Sequence, residues 1–180
     1  MLIRFKRIIL SFILLTSLTL LFPSSFISAG PETFYVCFTP GENCTETIVK
    51  VLGQSRTSVL MQAYSFTSAP VAKALVEAHK RGVHVESILD RSNKRQKYSS
   101  ADFISRAGIP TYIDSQHAIA HNKVMVIDEE IVITGSFNFT KAAEEKNAEN
   151  LLVIQDHVLA SRYAANWQAH KKHSEIYRRR

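Results

Sequence analysis

Between His121 and Asn138 the chain reads HNKVMVIDEEIVITGSFN. Six identities sit at fixed offsets in that stretch: His121, Lys123, Asp128, Gly135, Ser136 and Asn138. At average residue frequencies such a string starts by chance at about one position in a hundred million. A bare His-x-Lys carries no such weight. His170 and Lys172 form one too, with nothing downstream to complete it. An imidazole, an ammonium, a hydroxyl and an amide together suit a phosphodiester. Lys123, Ser136 and Asn138 can bind the non-bridging oxygens and stabilise charge building at phosphorus. Neutral His121 can attack phosphorus, and a protonated imidazole can give its proton to the leaving oxygen. Those two roles need opposite protonation states, so one histidine cannot fill both in one step. With one complete motif per chain, a homodimer that brings two copies of His121 to a shared site resolves the conflict.

The elements that must position these groups are legible around them. Val124–Ile127 and Ile131–Thr134 are β-branched, apolar runs separated by the polar 128–130, the pattern of a hairpin. On a strand, residues i and i+2 share a face, which pairs His121 with Lys123 and Ser136 with Asn138. Gly135 stands where the returning strand leaves the sheet, where a side chain would crowd a ligand or demand positive φ. Asp128 falls in the turn, away from the phosphate groups, and reads as a structural turn or ion-pair residue.

The motif is similar to that of the phospholipase D superfamily. Its wider context, MQAYSFTS at 61–68 and GSFNFTKAAEEKNAENLLVI at 135–154, resembles the small single-motif bacterial endonucleases of the Nuc type, from about Phe34 to Trp167. The resemblance implies a homodimer with one composite site on the two-fold axis, and cleavage through a phosphohistidine without a metal or other cofactor. It implies His121 of one protomer as nucleophile, His121 of the other as general acid, and Lys123, Ser136 and Asn138 on the phosphate. It also implies that Glu149, in the NAEN stretch, holds the histidine ring; a carboxylate there would fix the imidazole tautomer.

The rest of the chain sets bounds. Arg4, Lys6 and Arg7 precede an apolar run from Ile8 to Phe22, and Ile27-Ser28-Ala29 has the form of a signal-peptidase site. Residues 1–29 therefore read as a cleavable signal peptide, cut after Ala29, and the protein as periplasmic or secreted. An uncleaved inner-membrane anchor is the alternative, although a run of fifteen residues is short of the roughly twenty a span needs. Residues 30–180 make one ordinary domain. They carry 19 basic residues against 16 acidic, so their net charge is +3 rather than the +6 of the whole chain. Arg91, Lys94, Arg95 and Lys97 concentrate that charge after an apparent strand and are candidates for contacting nucleic acid. Cys37 and Cys44, seven apart in an exported chain, favour a small disulfide loop.

Alternating strand-like and helical segments predict an α/β fold, a mixed and mostly parallel sheet with helices on both faces. The strands are Phe34–Phe38, Ser58–Phe66, Val83–Leu89, Thr111–Ile113, the hairpin and Leu151–Ile154. The helices are Thr45–Leu52, Ala69–Arg81, Ser99–Ala107 and His157–Lys172. His79, His84, His117, His157, His170 and His173 do not fall at the spacings of a known ligand set, so no metal centre is expected. Tyr64 could stack on a base; Phe66 and Trp167 read as core. The leading expectation is a non-specific endonuclease acting on DNA, with RNA as a second polymer. A phospholipase D acting on phosphatidyl esters or cardiolipin is the first alternative, and a non-catalytic nucleic-acid-binding protein the second.

Overall fold

The structure, a computed structural model, describes residues 33–178. The leader and its cleavage position lie outside the described residues. Eight strands form one sheet in the order β1-β7-β6-β5-β2-β3-β4-β8. They are β1 (Thr33–Thr39), β2 (Ser58–Ala63), β3 (His84–Asp90), β4 (Thr111–Asp114), β5 (Lys123–Ile127), β6 (Ile131–Gly135), β7 (Glu149–Gln155) and β8 (Glu175–Ile176). The helices are α1 (Cys44–Gln54), α2 (Ala69–Lys80), α3 (Ala101–Arg106), α4 (Lys141–Glu145) and α5 (His157–His173).

The mixed α/β class is as expected, but the parallel share is smaller. Among the described residues, only β2–β3 and β3–β4 pair in parallel as strands, whereas the other five strand pairings are antiparallel. The parallel pairs are those joined through α2 and α3, since a parallel pair needs a crossover. The hairpin β5–β6, the returning β7 and the N-terminal β1 need none. Sequence periodicity reads a strand but not its direction.

Alternation along the strands sorts the apolar residues onto two faces. Val59 and Met61, Val85 and Leu89, Met125 and Ile127 pack with Ile48 and Leu52 of α1 and Val71 and Leu75 of α2. Leu60, Ile88, Val124, Val126 and Val132 face the other way and pack under Ala160 and Trp167 of α5. Trp167 is buried and its indole Nε1 donates to Met61 O at 2.8 Å, fixing α5 to the middle of the sheet. Caps set the helix starts: Asn43 accepts from the Glu46 amide, Thr140 from Ala143 and Asp156 from Leu159. Cys37 and Cys44 are both buried and joined as a disulfide that ties β1 to the first turn of α1. With this strand order, the ends of β2, β3, β4 and β6 and the starts of β5 and β7 lie along one margin of the sheet. Ligand sites in open α/β sheets form outside the carboxyl ends of the parallel strands.

Candidate active site

Lys123 opens β5 on the same face as Met125 and Ile127, so its stem is buried while its head reaches the sheet margin. Its Nζ donates to His121 O at 3.0 Å and lies 5.0 Å from the centre of the Tyr64 ring. Burial lowers its pKa, and the Glu149 charge works against that shift. The His121 ring is exposed and lies against Tyr64, with centroids 4.6 Å apart and planes inclined by 55°. Tyr64 itself is held by its amide, which donates to Asn122 O at 2.7 Å. Histidine, lysine and tyrosine thus form one contiguous group.

Ser136 and Glu149 meet across the β6–β7 boundary. Ser136 Oγ donates to Glu149 Oε2 at 2.6 Å and accepts from the Asn150 amide at 3.0 Å. Asn147 Nδ2 donates to the other carboxylate oxygen at 2.9 Å. Both Glu149 oxygens are therefore engaged within the chain by Ser136 and Asn147, and Glu149 reaches Lys123 through its field rather than by a bond. Gly135 has φ of +142°, and a Cβ built there would sit 2.3 Å from Asn150 O. That oxygen also accepts the amides of Ser136 and Phe137, at 3.0 and 3.1 Å. The glycine is required by its positive φ, one of the two reasons the sequence offered, and by the close backbone of β7. Asn138 follows, between the fully buried Phe137 and Phe139, and its Oδ1 is buried without a hydrogen-bond partner among the described residues.

Asp128 lies at the far end of β5. Its carboxylate accepts the amides of Arg56, Thr57 and Ser58 at 2.8–3.1 Å and the Thr57 hydroxyl at 3.0 Å. Burial would raise its pKa; those bonds outweigh burial and hold the carboxyl below its usual range. The backbone at Asp128 and Glu129 is left-handed, with φ of 56° and 57°, a conformation in which an aspartate is tolerated. The aspartate thus ties the β5–β6 turn to the start of β2.

Residues 48–171 match the family model described as the cardiolipin synthase, phospholipase D-like domain. That span includes every motif residue. The chain belongs to the phospholipase D superfamily of phosphodiesterases. It is 45% identical over 141 residues to a protein of Rickettsia typhi named phospholipase D, covering 78% of this chain and 69% of that one. A Rickettsia bellii protein of the same name is 47% identical over 135 residues, 75% of this chain and 67% of that one. Among solved structures, the phospholipase D family member Nuc from Salmonella typhimurium superposes with a TM-score of 0.78 at 38% identity, over 82% of this chain and 99% of that one.

In this superfamily member the basic segment reaches the site in part. Arg91, Lys94 and Arg95 line a groove of roughly 640 Å³ together with Tyr64, Asp90, Ala118 and Ile119. Arg91 donates to Ala118 O at 2.9 Å, and Lys94 pairs with Glu175 at 3.3 Å. Lys97 lies outside that lining, with its Nζ 5.4 Å from the Tyr98 ring centre. Asp90 is the residue that sequence reasoning missed. Its Oδ2 accepts the Ala120 amide at 2.8 Å and so pins the loop that leads into His121, while Oδ1 accepts from Ser92. An aspartate closing a strand carries no signal of that role.

The spacing of the histidines along the chain gives no sign that three of them meet in space. His117, His170 and His173 converge on Asp114, with their ligating atoms all within 4.8 Å of one another. His170 and His173 are three apart on α5 and share a face. The end of that helix packs beside β4, which supplies Asp114.

Proposed function

We propose that this chain is an exported, metal-independent endonuclease that cleaves DNA, and RNA as a second substrate, in a homodimeric composite site. One observation carries the nucleic-acid reading. Tyr64 touches both the His121 ring and the Lys123 ammonium, and the same ring lines the groove of Arg91, Lys94 and Arg95. A basic groove that opens onto the reacting phosphate suits a polymer with further phosphates beyond the scissile one, and Tyr64 offers a base a stacking face. A phosphatidyl ester has a single reacting phosphate and long apolar chains. Among the described residues no helix is long and apolar enough to cross a membrane. The phospholipase reading retains the support of the Rickettsia names and the family description.

In the proposed reaction, His121 Nε2 attacks phosphorus and the P–O bond to the leaving group breaks. The partner subunit's His121 gives its proton to the departing oxygen. Water then attacks the phosphohistidine, its proton passes to the partner subunit's His121, and the first His121 leaves. Lys123, Ser136 and Asn138 hold the non-bridging oxygens through both steps. Glu149, hydrogen-bonded to Ser136 and acting on Lys123 by charge, keeps the two donors oriented and the lysine protonated.

A surface strip supports the dimer. Phe34, Val36 and Phe38 are exposed on one face of the edge strand β1, beside Ile154, Leu152 and Asn150 of β7. The strip ends where Thr39 pairs with Glu149, at the site itself. A second copy laid there would cover an apolar edge and bring its own site residues close.

The test uses the full chain, wild type beside His121→Asn, with plasmid DNA, single-stranded DNA, RNA and cardiolipin or phosphatidylcholine vesicles in excess EDTA. Cleavage of nucleic acid by wild type alone is the expected result. Lipid turnover with nucleic acid intact would transfer the protein to the phospholipase class. Mixing His121→Asn with Lys123→Ala chains tests the shared site: recovery of near-wild-type activity would refute it.

A further inference from the structure

We propose that Asp114, His117, His170 and His173 form a structural zinc site. Each residue offers one ligand atom, and the four atoms lie within 4.8 Å of one another. Asp114 Oδ2 is the hub, at 2.7 Å from His170 Nδ1, 3.1 Å from His117 Nδ1 and 3.3 Å from His173 Nε2. Tetrahedral zinc binds imidazole nitrogen at about 2.0–2.1 Å, which places neighbouring ligand atoms about 3.3–3.4 Å apart. The hub distances run from hydrogen-bond length up to that edge, so the ligand atoms need to part by only a few tenths of an ångström to admit the ion. The three rings stand nearly equidistant around the aspartate, with centroids 4.9, 5.3 and 5.2 Å apart.

The donor set selects the metal class. Three imidazoles and one carboxylate suit zinc and its transition-metal neighbours, whereas magnesium and calcium take oxygen ligands. The residues have the burial of a built site. The Asp114 side chain is fully buried, those of His170 and His173 are 17% and 28% exposed, and that of His117 is 45% exposed.

Four protein ligands fill a tetrahedron and leave no open position, which marks a structural rather than a catalytic site. Its place in the fold says what it would hold. Asp114 ends β4, His117 lies in the loop that runs to His121, and His170 and His173 close α5. The same loop gives Ala118 O to Arg91 and the Ala120 amide to Asp90. One ion would therefore lock the C-terminal end of α5 to the loop that carries the nucleophile and one wall of the basic groove. Nothing in the hydrolytic chemistry passes through it.

The experiment is metal analysis of the untagged full chain, refolded or purified with trace zinc and dialysed. Wild type and a His84→Gln/His157→Gln control, altered at two exposed histidines outside the cluster, are expected to hold about one zinc per chain. His170→Gln/His173→Gln and Asp114→Asn are expected to hold less than about a tenth of that. Zinc should raise the Tm of wild type by several degrees and leave that of the cluster variants unmoved. Should those variants fail to fold, cobalt substitution of wild type decides: intense visible bands mark a tetrahedral site, and the weak spectrum of the hydrated ion would overturn the proposal. Wild type without zinc and without a zinc-dependent Tm, or zinc that survives loss of the two α5 histidines, would also overturn it.

Discussion

Asp128→Asn separates a structural from a catalytic motif aspartate. Asparagine keeps the shape and tolerates the left-handed φ of 56°, so the change is chiefly one of charge and of donor for acceptor. The carboxylate accepts three amides and a hydroxyl within 3.1 Å. A hydrogen bond to a charged acceptor contributes about 1.5–3 kcal/mol where it is buried. Here only the Ser58 amide is partly buried, and water can replace Asp128 at Arg56 and Thr57. The expected loss is thus about 2 kcal/mol rather than the sum of four bonds. For a domain of this size that lowers Tm by about 4–8 °C. The pH dependence has a definite sign. The folded carboxyl titrates below its usual range, so its contribution is complete above about pH 4 and is lost as pH falls through the folded value. Urea unfolding should therefore show a gap between wild type and variant at pH 7 that narrows in acid. Cleavage at 25 °C, where both are folded, should stay within a few-fold of wild type. An unchanged Tm with turnover reduced by orders of magnitude would refute the structural assignment.

Gly135→Ala is expected to cost at least about 3 kcal/mol, because its Cβ meets Asn150 O at 2.3 Å in a left-handed backbone; thermal unfolding reads this directly. Replacing Cys37 and Cys44 by serine opens a loop closed over seven positions and should lower stability by about 2.5 kcal/mol, measured by denaturant titration of the oxidised wild type against the variant. Glu149→Gln removes the charge that offsets burial at Lys123, so the lysine pKa should fall further and the alkaline limb of kcat should move to lower pH. An alkaline limb that stays in place would mean that Lys123 is not the group titrating there.

What could be read from the sequence was what short-range order controls. The hairpin around 128–130 follows from two β-branched runs, and its two strands lie where those runs lie. The spacing of His121, Lys123 and Asn138 needed no tertiary information, because the period of a strand and one turn bring them to one margin. The helix α2 was legible from periodicity and from the glycine after Arg81. Five-residue α4 and two-residue β8 were not, since neither is long enough to show a period. β2 stops at Ala63 rather than Phe66, because beyond it Tyr64 turns to bond Asn122 and Phe66 bridges to Phe139. Pairing with a distant segment ended the strand where local preference would have continued it.

The same reasoning separates the two groups of histidines. His121 announces itself because its partners are near in sequence. The zinc-site candidates are hidden because Asp114 and His170 are 56 positions apart, and nothing at either end names the other. The pairing of β8 with β4, the seat of Trp167 against Met61 and the Lys171–Glu86 ion pair set the end of α5 over the end of β4. Contacts between segments distant in sequence thus decide whether three imidazoles meet. If Trp167→Ala loosened α5, the histidines should lose both one another and any bound ion while the motif hairpin stayed intact. The site that performs the chemistry is written in local spacing, and the site that steadies it is written in the packing of the core.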